Sequence, residues 1–332
     1  PRDGEGLHGA VWFETVYQHP EDPTGRTLSA LYHNENYPQT LLFDPATGRG
    51  LRDHDWPPGL QGDASIQAVP RIGIMRSTDG GETWQDRGVL LEDRDERMIR
   101  LPVNRNYCFP GGVGDPSAVA SGEHLYVFYG EYAYPGPWSA QDWDPEAEAA
   151  GQCVSVARVP LAELGSPTGA ARRWDGSAFV APWDGVGVPI ASLQIPADHG
   201  GGPVSQGDRR YYWGPSVSWN EHLGGWVMML GRGDGPFWGG GSLFVSVNLN
   251  PDLGHGDAAQ QWSTPVRVVH RPGHTLWYPS LQPTGSAEDV AARRTSVRLG
   301  RTARLWFKDM AGDEHLYLSD HLVELVRVGE QA

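Results

Sequence analysis

Only two cysteines, Cys108 and Cys153, occur in 332 residues. Two thiols cannot build the disulfide framework of a small secreted scaffold, and no Cys-x-x-Cys pair offers a zinc knuckle. The sequence leaves open whether the two pair or stay as buried thiols. Long apolar runs are missing too, with no stretch of about 18 apolar residues to form a membrane-spanning helix. Basic residues are outnumbered, 26 Lys and Arg against 41 Asp and Glu, for a formal net charge of -15. That charge repels phosphate backbones and anionic lipid surfaces, so nucleic-acid and membrane partners are not expected, and the sequence sets no oligomeric state. The chain starts at Pro1 without a Met or a signal-like apolar segment, which reads as a processed, secreted or periplasmic product. Long helix-forming runs are few.

Turn residues and large aromatics are abundant instead, with 44 Gly, 27 Pro and 14 Trp. The segment Ser77-Thr78-Asp79-Gly80-Gly81-Glu82-Thr83-Trp84 organises the rest. Ser77 and Asp79 can hydrogen-bond the turn backbone, and Gly80 and Gly81 tolerate positive φ. On either side, Arg71-Ile72-Gly73-Ile74-Met75-Arg76 and Thr83 through Leu90 have strand composition. They are expected to be the outer two strands of one sheet. A second pattern is a recurring x-Pro-Ser at Asp115-Pro116-Ser117, Gly214-Pro215-Ser216 and Tyr278-Pro279-Ser280, each opening an apolar run. Such repetition marks an internally repeated architecture.

Ser77 to Trp84 is a full match to the Asp-box and resembles the hairpin of sialidases and other β-propellers. The Asp-Pro-Ser opening with the return strand Tyr126-Val127-Phe128-Tyr129 resembles the five-bladed glycosidases acting on arabinan and xylan, and the related fructan and mannoside enzymes. Tyr211 through Arg232 and His33-Asn34-Glu35 are similar to an uncharacterised group of bacterial sialidase-like propellers. The resemblance implies an all-β fold, a single propeller over 1–332, with five blades and six as the alternative. Four blades are legible; a fifth is expected from Pro182 to Gln206 or from joining the chain ends. The axis is then lined by residues near His8, Asp115, Gly214 and Tyr278.

Where inner strands descend from the ligand face and second strands return to it, strand starts and ends share one mouth. His8, His33, Glu35, Asp115, Glu131, Asp234 and Asp309 fall there. Glycoside hydrolysis needs two carboxyl groups across a sugar ring. The expected roles are Glu35 as general acid and Asp115 as base or pKa-modulating group, with Glu131 as the alternative acid or an arginine's partner. Single displacement with inversion is the expected course. Trp213, Trp277, Tyr278 and Trp138 offer stacking faces for sugar, while Trp84 and Trp262 are assigned to blade packing at the starts of outer strands. His8 and His33 are assigned to substrate hydroxyls, with Arg71 and Arg232 as further substrate contacts.

Three classes compete: a glycosidase, a lyase or sialidase acting on an acidic sugar, and a sugar-binding propeller without turnover. A lyase would use His33 or Tyr212 as base and Arg71 or Arg232 to neutralise a uronate. A sialidase would need a carboxylate clamp from Arg71, Arg105 and Arg232. No catalytic metal and no cofactor are expected. Asp44, Asp53, Asp55 and Asp63 form an acidic loop of the kind that takes structural Ca²⁺, but they match no spaced loop motif.

Overall fold

The computed structural model describes residues 10–36, 43–44, 49–50, 69–92, 112–132, 153–195, 211–233, 240–311 and 314–326. The fold is all-β. Helix among the described residues is limited to one α-helical turn at Ala287–Ala291 and a few 3-10 turns, and no helix is long and apolar enough to cross a membrane.

Four antiparallel blades follow one another. Blade 1 has the order β1 (Ala10–Gln18), β2 (Leu28–Asn36), β5 (Val69–Ser77) and β6 (Gln85–Leu91), with a two-stranded ribbon of β3 (Phe43–Asp44) and β4 (Arg49–Gly50) inserted. In blade 2, β7 (Val113–Ser121) is followed outward by β8 (His124–Glu131), β9 (Cys153–Pro160), β10 (Arg172–Trp174) and β11 (Phe179–Pro182). Blade 3 runs β12 (Tyr211–Asn220), β13 (Gly225–Gly233), β14 (Ser242–Asn248) and β15 (Val266–His270). The short β17 (Arg298–Leu299) adds in parallel to the end of β12. Blade 4 is β16 (His274–Gln282), β18 (Thr302–Ala311) and β19 (Glu314–Glu324).

The expectation of five or six blades is therefore corrected to four. The described part of the segment expected to supply a fifth, up to Ile195, forms turns and a 3-10 turn at Ala191–Leu193. Ile190 and Leu193 drop into the core of blades 2 and 3 instead of starting a strand. Nor do the chain ends combine among the described residues, where β1 opens blade 1 and β19 completes blade 4. Trp262 packs between blades, as expected, but does not begin an outer strand. It lies in the turn before β15, buried, with its indole N–H on the Ala259 carbonyl (3.0 Å) and its edge against Phe128.

Each blade buries its faces against its neighbours, as alternating strand residues require. Leu31, Ile72 and Ile74 of blade 1 meet Val113, Leu125 and Val127 of blade 2. Blades 2 and 3 join through Tyr126, Phe128, Met228 and Phe244, and blades 3 and 4 through Val227, Met229, Leu276 and Phe307. Among the described residues no such core joins blade 4 to blade 1, and β1 keeps Val11, Trp12, Phe13 and Val16 exposed.

The Ser77–Trp84 turn joins the outer two strands of blade 1, as its composition requires. Asp79 accepts from the Thr83 amide (3.0 Å) and the Thr83 hydroxyl, while the Gly81 amide donates to Ser77 Oγ (2.9 Å). Gly80 and Gly81 sit at φ 83° and 95°, where a Cβ would be strained. The Trp84 indole N–H closes the turn on the Gly81 carbonyl (2.9 Å). These donors, led by Thr83, hold the Asp79 carboxyl well below the usual carboxylate range.

Candidate active site

Every inner strand breaks its register at one place. The irregularities fall between Phe13 and Thr15, Gly114 and Ser117, Trp213 and Ser216, and Trp277 and Ser280. Three of them are the x-Pro-Ser repeats, and in each the residue before proline takes positive φ: Asp115 (48°), Gly214 (57°) and Tyr278 (51°). A bulge aims its extra side chain off the sheet, here toward the axis. Positive φ is free for Gly214 but strained for Asp115 and Tyr278, and strain of this kind gathers at functional sites. Blade 1 has no proline at its bulge; the residue it extrudes is Glu14.

Glu14, His33 and Asp115 thus form one cluster, with a donor atom of each within 4.8 Å of the others. Asp115 is buried (6% exposed). Tyr132 donates its hydroxyl to Asp115 Oδ2 (2.7 Å), and burial followed by the Asp115 charge raises that phenol far above its ordinary range. His33 Nδ1 lies 3.4 Å from Asp115 Oδ1 and accepts the Asp115 backbone N–H at 3.3 Å. Its ring lies over Gly114, where any Cβ would collide with it. Burial alone would lower the His33 pKa, but the hydrogen bond and charge of Asp115, then Glu35 and Glu14, raise it. The spacing of the three donors would also admit a cation, with His33 as its nitrogen ligand.

Glu14 was missed by sequence reading. Surrounding protein, then the Asp115 charge, push its pKa up to about 8, with His33 opposing. Glu14 is nevertheless an exposed residue, as is Tyr278 (45% exposed). Access of solvent limits how much of this shift burial can supply, so the Asp115 charge is essential to its direction. The same charge, ahead of burial, raises the Tyr278 phenol. Glu35, half-buried, lies two residues beyond His33 on the same face of β2, and its charge is felt by Glu14, His33 and Tyr278.

An aromatic cluster adjoins the carboxyls through Tyr278, which hydrogen-bonds to Asp115. Trp213 meets Trp277 and Tyr278 edge to face at 5.7 and 5.3 Å between centroids. Trp213 is buried, whereas Trp277 is half-buried and carries Lys308 Nζ 5.1 Å over its ring. Trp277 and Tyr278 are therefore the faces a sugar can reach, with Trp213 behind them.

Other candidates go elsewhere. Glu131, Arg232 and Asp309 share one repeated position, paired with Val113, Tyr212 and Leu276, two residues before each axial residue. Glu131 and Asp309 are buried, and Arg232 is half-buried. Glu131 forms a fully buried ion pair with Arg173 (2.9 Å), the arginine also holding the Glu92 and Trp183 carbonyls. Arg232 lies over Phe244, against which Tyr212 also packs. Asp309 binds Arg271 and His274 Nδ1. Arg71 donates to Asn34 Oδ1 (3.2 Å), and Asn34 alternates with His33 to the opposite face of β2. Cys153 is buried beside Ser155, and burial pushes its thiol up. His8, Asp234, Arg105, Cys108, Trp138, Asp53, Asp55 and Asp63 lie outside the described residues, as does the side chain of Asp44.

No protein-family model matches the chain, and no curated protein matches it. Among solved structures, the β-1,2-mannobiose phosphorylase of Listeria innocua aligns over 97% of this chain and 76% of its own, at 12% identity and a TM-score of 0.46. A family 117 glycoside hydrolase from Zobellia galactanivorans aligns over 97% and 69%, at 12% identity and 0.46. The Trypanosoma rangeli sialidase aligns over 94% of this chain at 11% identity and 0.41, but the chain spans only 38% of that enzyme's length. At this similarity they lend nothing to the assignment of an activity.

Proposed function

We propose that the protein is a glycoside hydrolase acting on an oligo- or polysaccharide. Glu14 protonates the leaving oxygen, Glu35 activates water, and the buried Asp115 keeps Glu14 in its acid form. The observation that carries this is the placement of Glu14, an exposed residue extruded at the β1 bulge beside the buried carboxylate of Asp115, where its surroundings push its pKa up to about 8. Carboxyl groups pushed apart in pKa by their surroundings are how one site supplies both acid and base. The exposed faces of Trp277 and Tyr278 supply the apolar floor on which a sugar ring stacks. Glu14 and Asp115, with donor atoms within 4.8 Å, leave no room for a water between them. An inverting pair needs roughly 6.5–9.5 Å, which Glu14 and Asp115 do not meet, so an inverting course requires Glu35 as the base. Glu14 thus takes the acid role first expected of Glu35, Glu35 becomes the base, and Asp115 keeps the pKa-modulating one of its two expected roles.

Glu14→Gln tests the reading on oligosaccharides and on aryl glycosides. Loss of a general acid lowers kcat by about 10²–10⁴-fold, whereas a dinitrophenyl glycoside, whose leaving group needs no proton, retains its rate. Wild-type turnover of a natural glycan should fall tenfold per pH unit above about 8 as Glu14 ionises. Full activity of Glu14→Gln on a glycan with a poor leaving group would refute the assignment.

A further inference from the structure

His33 Nδ1 stands 3.3 Å from the backbone nitrogen of Asp115 and 3.4 Å from its carboxylate Oδ1. One ring nitrogen cannot serve both. Neutral, with its proton on Nε2, the imidazole accepts the Asp115 amide through Nδ1; as a cation it turns Nδ1–H into a donor and pairs with the carboxylate. The ring packs closely over Gly114, whose missing Cβ makes the room: a Cβ there would lie only 2.6–3.0 Å from three of its atoms.

We propose that His33 is a positioning residue of the site, whose protonation switches its hold on Asp115 from amide to carboxylate and so sets how much of the Asp115 charge faces Glu14. Among the described residues, the charged groups bearing on the imidazole are Glu14 of β1, Glu35 of its own strand and Asp115 of β7. Tyr132, after β8, and Tyr278 of β16 act on Asp115 in turn, and Arg71 of β5 is directed to Asn34. With His33 neutral, Asp115 presents its full charge and Glu14 holds its proton. With His33 protonated, the pair Nδ1–H and Oδ1 is close to neutral, and Glu14 loses its strongest charged neighbour. No covalent step is involved; one proton moves between solvent and Nδ1.

This inference rests on the hydrolase reading only for its consequence, so its test needs no substrate. Nitrogen NMR of ring-labelled histidine should show neutral His33 as the Nε2–H tautomer, gaining a proton on Nδ1 as pH falls. Asp115→Asn, which keeps the amide but removes the charge, should lower the His33 titration midpoint by at least about one pH unit, a tenfold loss of proton affinity. Glu14→Gln, a milder variant should Asp115→Asn fold poorly, should lower it by less. In His33→Gln, the Glu14 carboxyl followed by carbon NMR should titrate at higher pH than in the wild type. A neutral Nδ1–H tautomer, or a His33 midpoint unmoved by Asp115→Asn with the fold intact by thermal melting, would overturn the inference. Neither result touches the hydrolase reading, which stands or falls on Glu14→Gln turnover.

Discussion

Gly114→Ala isolates the packing on which the site depends. Gly114 has ordinary strand φ, so alanine is conformationally allowed, and the cost must come from contact. The new methyl would lie 2.6 Å from His33 Cε1, 2.9 Å from Nε2 and 3.0 Å from Nδ1. These are rigid ring atoms, so reaching ordinary contact near 3.4 Å requires the imidazole to retreat by about 0.8 Å. That stretches the 3.3 Å bond from the Asp115 amide beyond hydrogen-bonding range. Overpacking costs about 1–3 kcal/mol and the lost buried hydrogen bond about 1 kcal/mol, together about 2–4 kcal/mol. Urea unfolding followed by tryptophan fluorescence should show a lower midpoint at unchanged slope. His33→Ala vacates the contested space, so alanine at 114 should cost about 0.5 kcal/mol or less in that background. An equal cost of Gly114→Ala in both backgrounds would refute the proposed packing.

Arg173→Met removes the partner of a buried carboxylate and should cost about 3–5 kcal/mol in chemical unfolding, with much of the loss recovered on adding Glu131→Gln. If the double variant is no more stable than Arg173→Met, the Glu131 charge is not what makes the loss costly. The two tryptophans should separate. Trp213→Ala, at a buried ring, should cost about 3–5 kcal/mol of stability, whereas Trp277→Ala should raise KM for a glycan while lowering the melting temperature little. The reverse pattern would remove Trp277 from the sugar platform.

Much of the fold was legible because its cues are local. Hairpin strands pair with their neighbours, so the turn at Ser77–Trp84 and the paired runs of β7 with β8, β12 with β13 and β16 with β18 could be read from composition and spacing. Blade number was not, because it depends on where an irregular segment packs. Pro182 to Ile195 carries turn residues that fit a blade connection, yet Ile190 and Leu193 find a place in the core between blades 2 and 3 and end the segment there. A buried charge was equally opaque. Glu131 and Asp115 both sit at the mouth end of blade 2, and only the fold shows Arg173, forty-two residues away, closing over one and not the other.

The missed residue has a physical reason that bears on reading such chains. Asp115, Gly214 and Tyr278 announce themselves because a proline follows each, and proline restricts the residue before it. Glu14 occupies the corresponding break in β1 without that mark, inside the alternating run Val11-Trp12-Phe13-Glu14-Thr15-Val16, where it reads as an ordinary solvent-facing strand residue. What gives it a role is the extra residue between Phe13 and Thr15, which is a property of pairing with Tyr32 and Leu31 and not of β1 alone. A signal did exist: the other three inner strands each carry one irregularity a few residues from their start, so a repeat argument demands one in β1. Carrying that demand through would have placed an acid on the axis beside Asp115. It follows that the chemistry of this mouth is set less by which acids the loops supply than by which residue each inner strand extrudes, and exchanging Glu14 should matter more to turnover than exchanging Glu131.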